Sequence, residues 1–133
     1  MTTNDGLGAL RNLDYTMLLC EDLGPMRSFY VDVLGLAVKR EVTGRYLELQ
    51  VGAATLALRL RSRPYDGPPR TEPGASVQLA FRVPPADVDA AAEQLVERGV
   101  ELLEPVHDLA DFGHRVLFVA DPDGNVVEIY AEI

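Results

Sequence analysis

The chain carries the same order of elements twice, and that repeat limits what it can fold into. Pro25 to Leu34 places Met26, Phe29, Tyr30, Val33 and Leu34 at helical spacing, and Gly35 follows as a stop. Pro85 to Arg98 repeats this with Val88, Ala91, Ala92, Leu95 and Val96, and Gly99 is its stop. An apolar strand candidate precedes each helix: Leu13 to Cys20 in the first half, Ser76 to Val83 in the second. Further strand candidates follow each helix. In the first half these are Leu36 to Glu41, Arg45 to Val51 and Thr55 to Leu60, with Thr43-Gly44 and Gly52-Ala53 suited to hairpins. In the second they are about Val100 to Glu104, His114 to Ala120 and Val126 to Ala131. Both halves read β-α-β-β-β, an α+β chain built of two modules.

The module limits fall at about 13–60 and 76–133. Between them, 61–75 holds Pro64, Gly67, Pro68, Pro69, Pro73 and Gly74 and reads as a linking loop. Residues 1–12 read as a flexible segment ahead of a single domain, 13–133.

Within the strands, alternation separates two faces. One carries Leu47, Leu49 and Val51, then Leu56, Leu58 and Leu60, then Val77, Leu79, Phe81 and Val83, and must pack on the helices. The other carries Tyr46, Glu48 and Gln50, then Thr55, Ala57 and Arg59, then Gln78, Ala80 and Arg82. That mixed face either meets water or lines a cavity, and alternation alone favours water. The final strand follows the tight-turn sequence Asp121-Pro122-Asp123-Gly124-Asn125. Val127 and Ile129 point one way; Val126, Glu128 and Tyr130 point the other, leaving a carboxylate in mid-strand that needs solvent or a partner.

Composition narrows the partners. A net charge of −9 argues against nucleic acid, because nothing offsets phosphate repulsion. No apolar run approaches a membrane span, and no cationic start precedes an apolar block, so a cytoplasmic home away from membranes is expected. Cys20 is the only cysteine and lies on the apolar face of the first strand, where an inert packed thiol is expected.

Two segments carry a family resemblance. The run Asp22-Leu23-Gly24-Pro25-Met26-Arg27-Ser28-Phe29-Tyr30-Val31-Asp32-Val33-Leu34-Gly35-Leu36, and Phe112-Gly113-His114-Arg115 followed by Asp121 to Tyr130, resemble the two module signatures of the vicinal oxygen chelate superfamily. That superfamily includes glyoxalase I, bleomycin-resistance proteins, fosfomycin-resistance enzymes and extradiol dioxygenases. The resemblance implies a glyoxalase-like domain whose modules form a curled, U-shaped mixed sheet around a cavity, with helices on the outer face. It therefore makes a cavity the favoured reading of the mixed face, and it implies a homodimer.

The metal-dependent members place one ligand on the first and last strand of each module. Carried over by position, these fall on Tyr15, Ala57, Gln78 and Glu128, and only Glu128 matches. A phenol, a methyl group and an amide are poor company for a carboxylate where a divalent ion wants several imidazole or carboxylate donors. No cofactor is therefore expected; a loosely held divalent metal at Glu128 and Gln78 is the alternative. The expected activity is binding of a small organic molecule, lined by Tyr15, Tyr46, Glu48, Arg59, Gln78, Arg82, His114, Glu128 and Tyr130. The competing reading is a glyoxalase-like lyase or isomerase, or a dioxygenase, with Glu128 as catalytic base or metal ligand. Arg59 or Arg82 could instead neutralise Glu128, since alternation puts them on its face. His107 and His114 fall at no family ligand position. Arg59, Arg61, Arg63 and Arg70 gather around the linking loop, read as a solvated cluster, or less favourably as a gate for an anionic substrate.

Overall fold

The computed structural model describes residues 5–133. The first four residues of the expected flexible segment lie outside the described residues; within the rest, Gly6–Ala9 forms one 3-10 turn with exposed side chains. In the first module β1 (Tyr15–Cys20) leads into α1 (Leu23–Arg27), which continues as a π-helical turn over Ser28–Val33. Then come β2 (Ala37–Val42), β3 (Tyr46–Val51) and β4 (Ala54–Leu60). The second module runs β5 (Gln78–Arg82), α2 (Asp87–Glu97), β6 (Glu104–Leu109), β7 (His114–Ala120) and β8 (Val126–Glu132).

Each module builds its own four-stranded mixed sheet, ordered β1-β4-β3-β2 and β5-β8-β7-β6. The first strand of each runs parallel to the last, which requires a crossover, and the helix supplies it. The remaining strands pair antiparallel through short turns. Gly44 and Gly52, at the two hairpins of module one, take φ of 74° and 56°, a region that a side chain would resist.

The apolar faces read from alternation turn inward except at Leu60, which lies outside the core at the end of the first sheet. Leu18, Cys20, Leu47, Leu49, Leu56, Leu58, Leu117, Val119, Val127 and Ile129 join Met26, Phe29, Tyr30, Val88, Ala92 and Leu95 in one core that spans both modules. The helices thus cover the apolar side of the sheets and leave the mixed side open.

A buried polar tie locks the modules together. The Tyr30 hydroxyl donates to Asp121 Oδ2 at 2.7 Å, from the helical segment of one module to the final turn of the other. Asp121 also accepts from the Asn125 side chain and from the backbone of Asp123 and Asn125, so its burial leaves no oxygen unpaired. Desolvation and the adjacent carboxylate hold the Tyr30 hydroxyl protonated far above the ordinary phenol range.

Three expectations are corrected. The sixth strand lies at Glu104–Leu109, not Val100 to Glu104, because Pro105 falls within a bulge where the ladder needs no N–H. Strand β2 carries a matching bulge between Val38 and Arg40, so both modules break register in the same strand. Val96 is exposed rather than buried, since α2 turns only Val88, Ala92 and Leu95 fully inward. The first helix begins earlier than expected, at Leu23, where the Asp22 side chain accepts from the Gly24 amide.

Candidate functional site

The mixed face of the second module is organised around Glu128. Strand β8 sits between β5 and β7, so Glu128 faces Ala80 on one side and Phe118 on the other. Gln78 Nε2 donates to Glu128 Oε1 at 2.9 Å, which fixes the carboxylate while leaving it half-buried. In the next row Tyr130 lies between Arg82 and Val116, and the His114 ring stacks on it at 4.5 Å and 28°. Phe112 and Phe118 extend the aromatic surface towards His114 and His107. The arrangement is a carboxylate beside an aromatic wall, suited to a flat organic body with a hydrogen-bond donor.

The first module carries a second acid one strand away from the equivalent place. Ala57 is the counterpart of Glu128, and directly across the β3–β4 ladder from it stands Glu48, 4% exposed. The Tyr46 hydroxyl donates to Glu48 Oε2 at 2.5 Å, and Arg40 approaches that same oxygen to 4.0 Å. Burial, then the bond to Glu48, pushes the Tyr46 phenol up to about 12. In module two the corresponding pair is Phe118 and Glu128, so the two modules exchange which strand bears the acid.

Tyr15 stands opposite Thr55 at the edge of the first sheet, 46% exposed, with Met17 beside Ala57 at 42%. It lies on a different sheet from Gln78 and Glu128, and the hydrogen bonding that joins those two does not extend to it. Among the described residues no three histidine, cysteine or acidic side chains converge closely enough to hold a metal ion. A groove of about 250 Å3 runs where the modules meet, between Thr16, Thr55 and Leu56 of the first sheet and Leu79, Ala80, Phe81 and Arg82 of β5.

Neither arginine considered as a partner for Glu128 pairs with it. Arg59 forks onto Asp66 through two bonds of 2.8 Å, and Arg82 reaches Glu132 at 2.8 Å on the surface. Alternation correctly puts both on the mixed face, but each guanidinium reaches past Glu128 to another acid, Arg59 to the turn at Asp66 and Arg82 to Glu132 at the end of β8. Asp66 also accepts the Ser62 and Arg63 amides, and Arg59 followed by those two amides holds its carboxyl well below the usual range. Pro64 opening a short helical turn that an acid closes at Asp66 was the available signal for this lock.

The arginine cluster around 61–75 resolves into separate roles. Arg61 Nε donates to Glu21 at 2.6 Å, and the same carboxylate oxygen accepts the Arg70 amide at 3.0 Å. Cys20 is fully buried next to this region, and desolvation raises its thiol to about 12. Phe118 and Asp66 are contributors that were not among the expected site residues.

Two modules of strand–helix–three strands, each with a polar inner face and with helices on the other side, define the glyoxalase-like class of α+β domains. The chain belongs to the Glyoxalase/Bleomycin resistance protein/Dioxygenase superfamily, whose family model matches residues 12–129. It is 31% identical over 120 residues to the Bacillus subtilis (strain 168) protein YraH, spanning 85% of this chain and 92% of that one. Its backbone is similar to a glyoxalase/bleomycin resistance protein/dioxygenase from Nocardioides, with a TM-score of 0.77 at 24% identity, covering 93% of this chain and 85% of that chain. A glyoxalase-related enzyme from Fulvimarina pelagi matches with a TM-score of 0.74 at 28% identity, covering 92% and 89%.

Proposed function

We propose that this protein binds a small organic molecule on the mixed faces of its sheets without a tightly held catalytic metal. The observation that carries the reading is the partner of Glu128. Where the metal-dependent relatives gather four donors, this chain offers Tyr15, Ala57, Gln78 and Glu128, and the carboxylate is already engaged by an amide. One carboxylate and one amide make a weak site for a divalent ion but a good anchor for a ligand N–H or O–H. Phe118, Tyr130 and His114 supply the stacking surface next to it. Because both mixed faces are open in one chain, a homodimer that apposes the first-module face of one copy to the second-module face of the other would close the cavity. A cytoplasmic setting is part of the same proposal.

Elemental analysis of protein purified without chelator, then loaded with cobalt, nickel, zinc or iron and desalted, tests this. We expect well under one retained ion per chain, and native mass spectrometry should show organic ligands retained instead. Near-stoichiometric metal would overturn the metal-free reading.

The likeness to a glyoxalase-related enzyme keeps a second reading in view, in which Glu128 acts as a base or ligand in a lyase, isomerase or dioxygenase reaction. Gln78 holds that carboxylate in one orientation, as a base would need. In that case Glu128→Gln should abolish any turnover found; retained turnover would remove the second reading.

A further inference from the structure

We infer that the molecule held by this protein is an anion, and that its carboxylate, phosphonate or phosphate end sits in an arginine pocket at the end of the first sheet. This rests on the proposal of small-molecule binding above and specifies the charged end of that molecule. The pocket, of about 440 Å3, is lined by Val42, Arg45, Tyr46, Arg59, Ser62 and Arg63, among others, and no carboxylate lines it.

In a chain of net charge −9, three guanidinium groups around one cavity call for an explanation. Arg27, Arg40, Arg61, Arg82 and Arg115 all approach acids elsewhere in the molecule. Among the described residues, Arg45 and Arg63 have no carboxylate within ion-pair distance; the polar partner of the Arg63 guanidinium is the Tyr65 hydroxyl at 3.1 Å. Arg59 spends both terminal nitrogens on Asp66, yet its Nε is buried without a partner, the one such side-chain atom among the described residues. The nearby acids are committed: Glu48 to Tyr46 and Arg40, Asp66 to Arg59 and two amides.

The pocket is also held in shape. Asp66 clamps the Ser62 and Arg63 amides at 2.8 Å and 2.7 Å, so the rim bearing the Ser62 hydroxyl and the Arg63 side chain is fixed before any ligand arrives. Planar guanidinium forks match the geometry of carboxylate and phosphate oxygens. Val42, Leu60 and the Tyr46 ring offer apolar area alongside, which suits an anion attached to an organic body rather than a bare ion.

Calorimetric titration of the full chain with phenylphosphonate, benzyl alcohol and benzylammonium separates the alternatives. Phenylphosphonate should bind saturably and weaken by about tenfold or more in Arg45→Gln/Arg63→Gln. Among the described residues neither of those arginines has an acid partner, so the double variant should melt at the wild-type temperature, and Arg11→Gln, set beside Arg45→Gln and Arg63→Gln taken singly, is the control for the loss of one positive charge. Phenylphosphonate binding that the double variant leaves intact, or that Arg11→Gln weakens equally, would overturn the assignment. Saturable binding of benzyl alcohol or benzylammonium without phenylphosphonate would also overturn it, while leaving the binding function standing. Absence of binding by all three probes would count against both.

Discussion

At the scale of single residues, two carboxylates do most of the organising, and neither belongs to the expected ligand set. Asp121 ties the modules through Tyr30, and Asp66 ties the start of the linking loop to β4 through Arg59. The folded pKa of Asp66 lies below its unfolded value, chiefly because of the Arg59 guanidinium. Its contribution is therefore complete above the unfolded pKa and is lost as the pH falls towards the folded one. Thermal melts should show the melting temperature declining on acidification below about pH 4. In Asp66→Asn that acid-side decline should be shallower and the neutral-pH melting temperature lower. An unchanged acid profile in the variant would mean other carboxylates carry the effect. Arg59 could be placed on the mixed face from alternation in β4. Its partner could not, because Asp66 reaches it through a turn whose path no strand periodicity records.

At the scale of elements, the turn before β8 shows what a glycine can be for. Gly124 has φ of +88°, and a Cβ there would lie 2.5 Å from the Gly74 nitrogen. Gly99, which ends α2, has φ of +82° but open space around it. Gly99→Ala should cost only the left-handed backbone penalty, about 1–2 kcal/mol. Gly124→Ala should add overpacking against backbone, for a total of about 2–4 kcal/mol. Urea unfolding of the two variants checks this, and equal losses would show that the loop moves aside freely. Both glycines were legible as punctuation, yet only the close approach of Gly74 separates them. The strands divide in the same way. Those with one continuous apolar face, such as β3, β4 and β8, were legible from alternation. The sixth was not, because Val100 and Leu102 supply apolar residues ahead of it and the bulge absorbs a proline that sequence logic treats as a breaker.

At the scale of the whole molecule, the repeated order of elements and the single core were legible, whereas the division of the mixed face into two separate sets of residues was not. Position in the repeat pairs Tyr15 with Gln78, but the backbone puts them on different sheets. If the cavity is closed by a second copy, the exposed Tyr15 and Met17 along the β1 edge belong to that contact. Light scattering should then give twice the mass of one chain at about 100 μM, and Tyr15→Asp/Met17→Asp should shift the equilibrium to the monomer. A wild-type protein that is monomeric at that concentration would remove the dimer from the account.

The stitching of residues 61–75 bears on how copies could associate. Glu21 holds Arg61 and Arg70, the Gly74 amide donates to the Asp123 carbonyl, and Gly124 abuts Gly74. A loop fastened at both ends is a poor hinge, which disfavours a module swinging out to trade places with its twin in another chain. Association would then join finished chains, and partners could be traded as quickly as they separate, with no refolding step to slow the traffic.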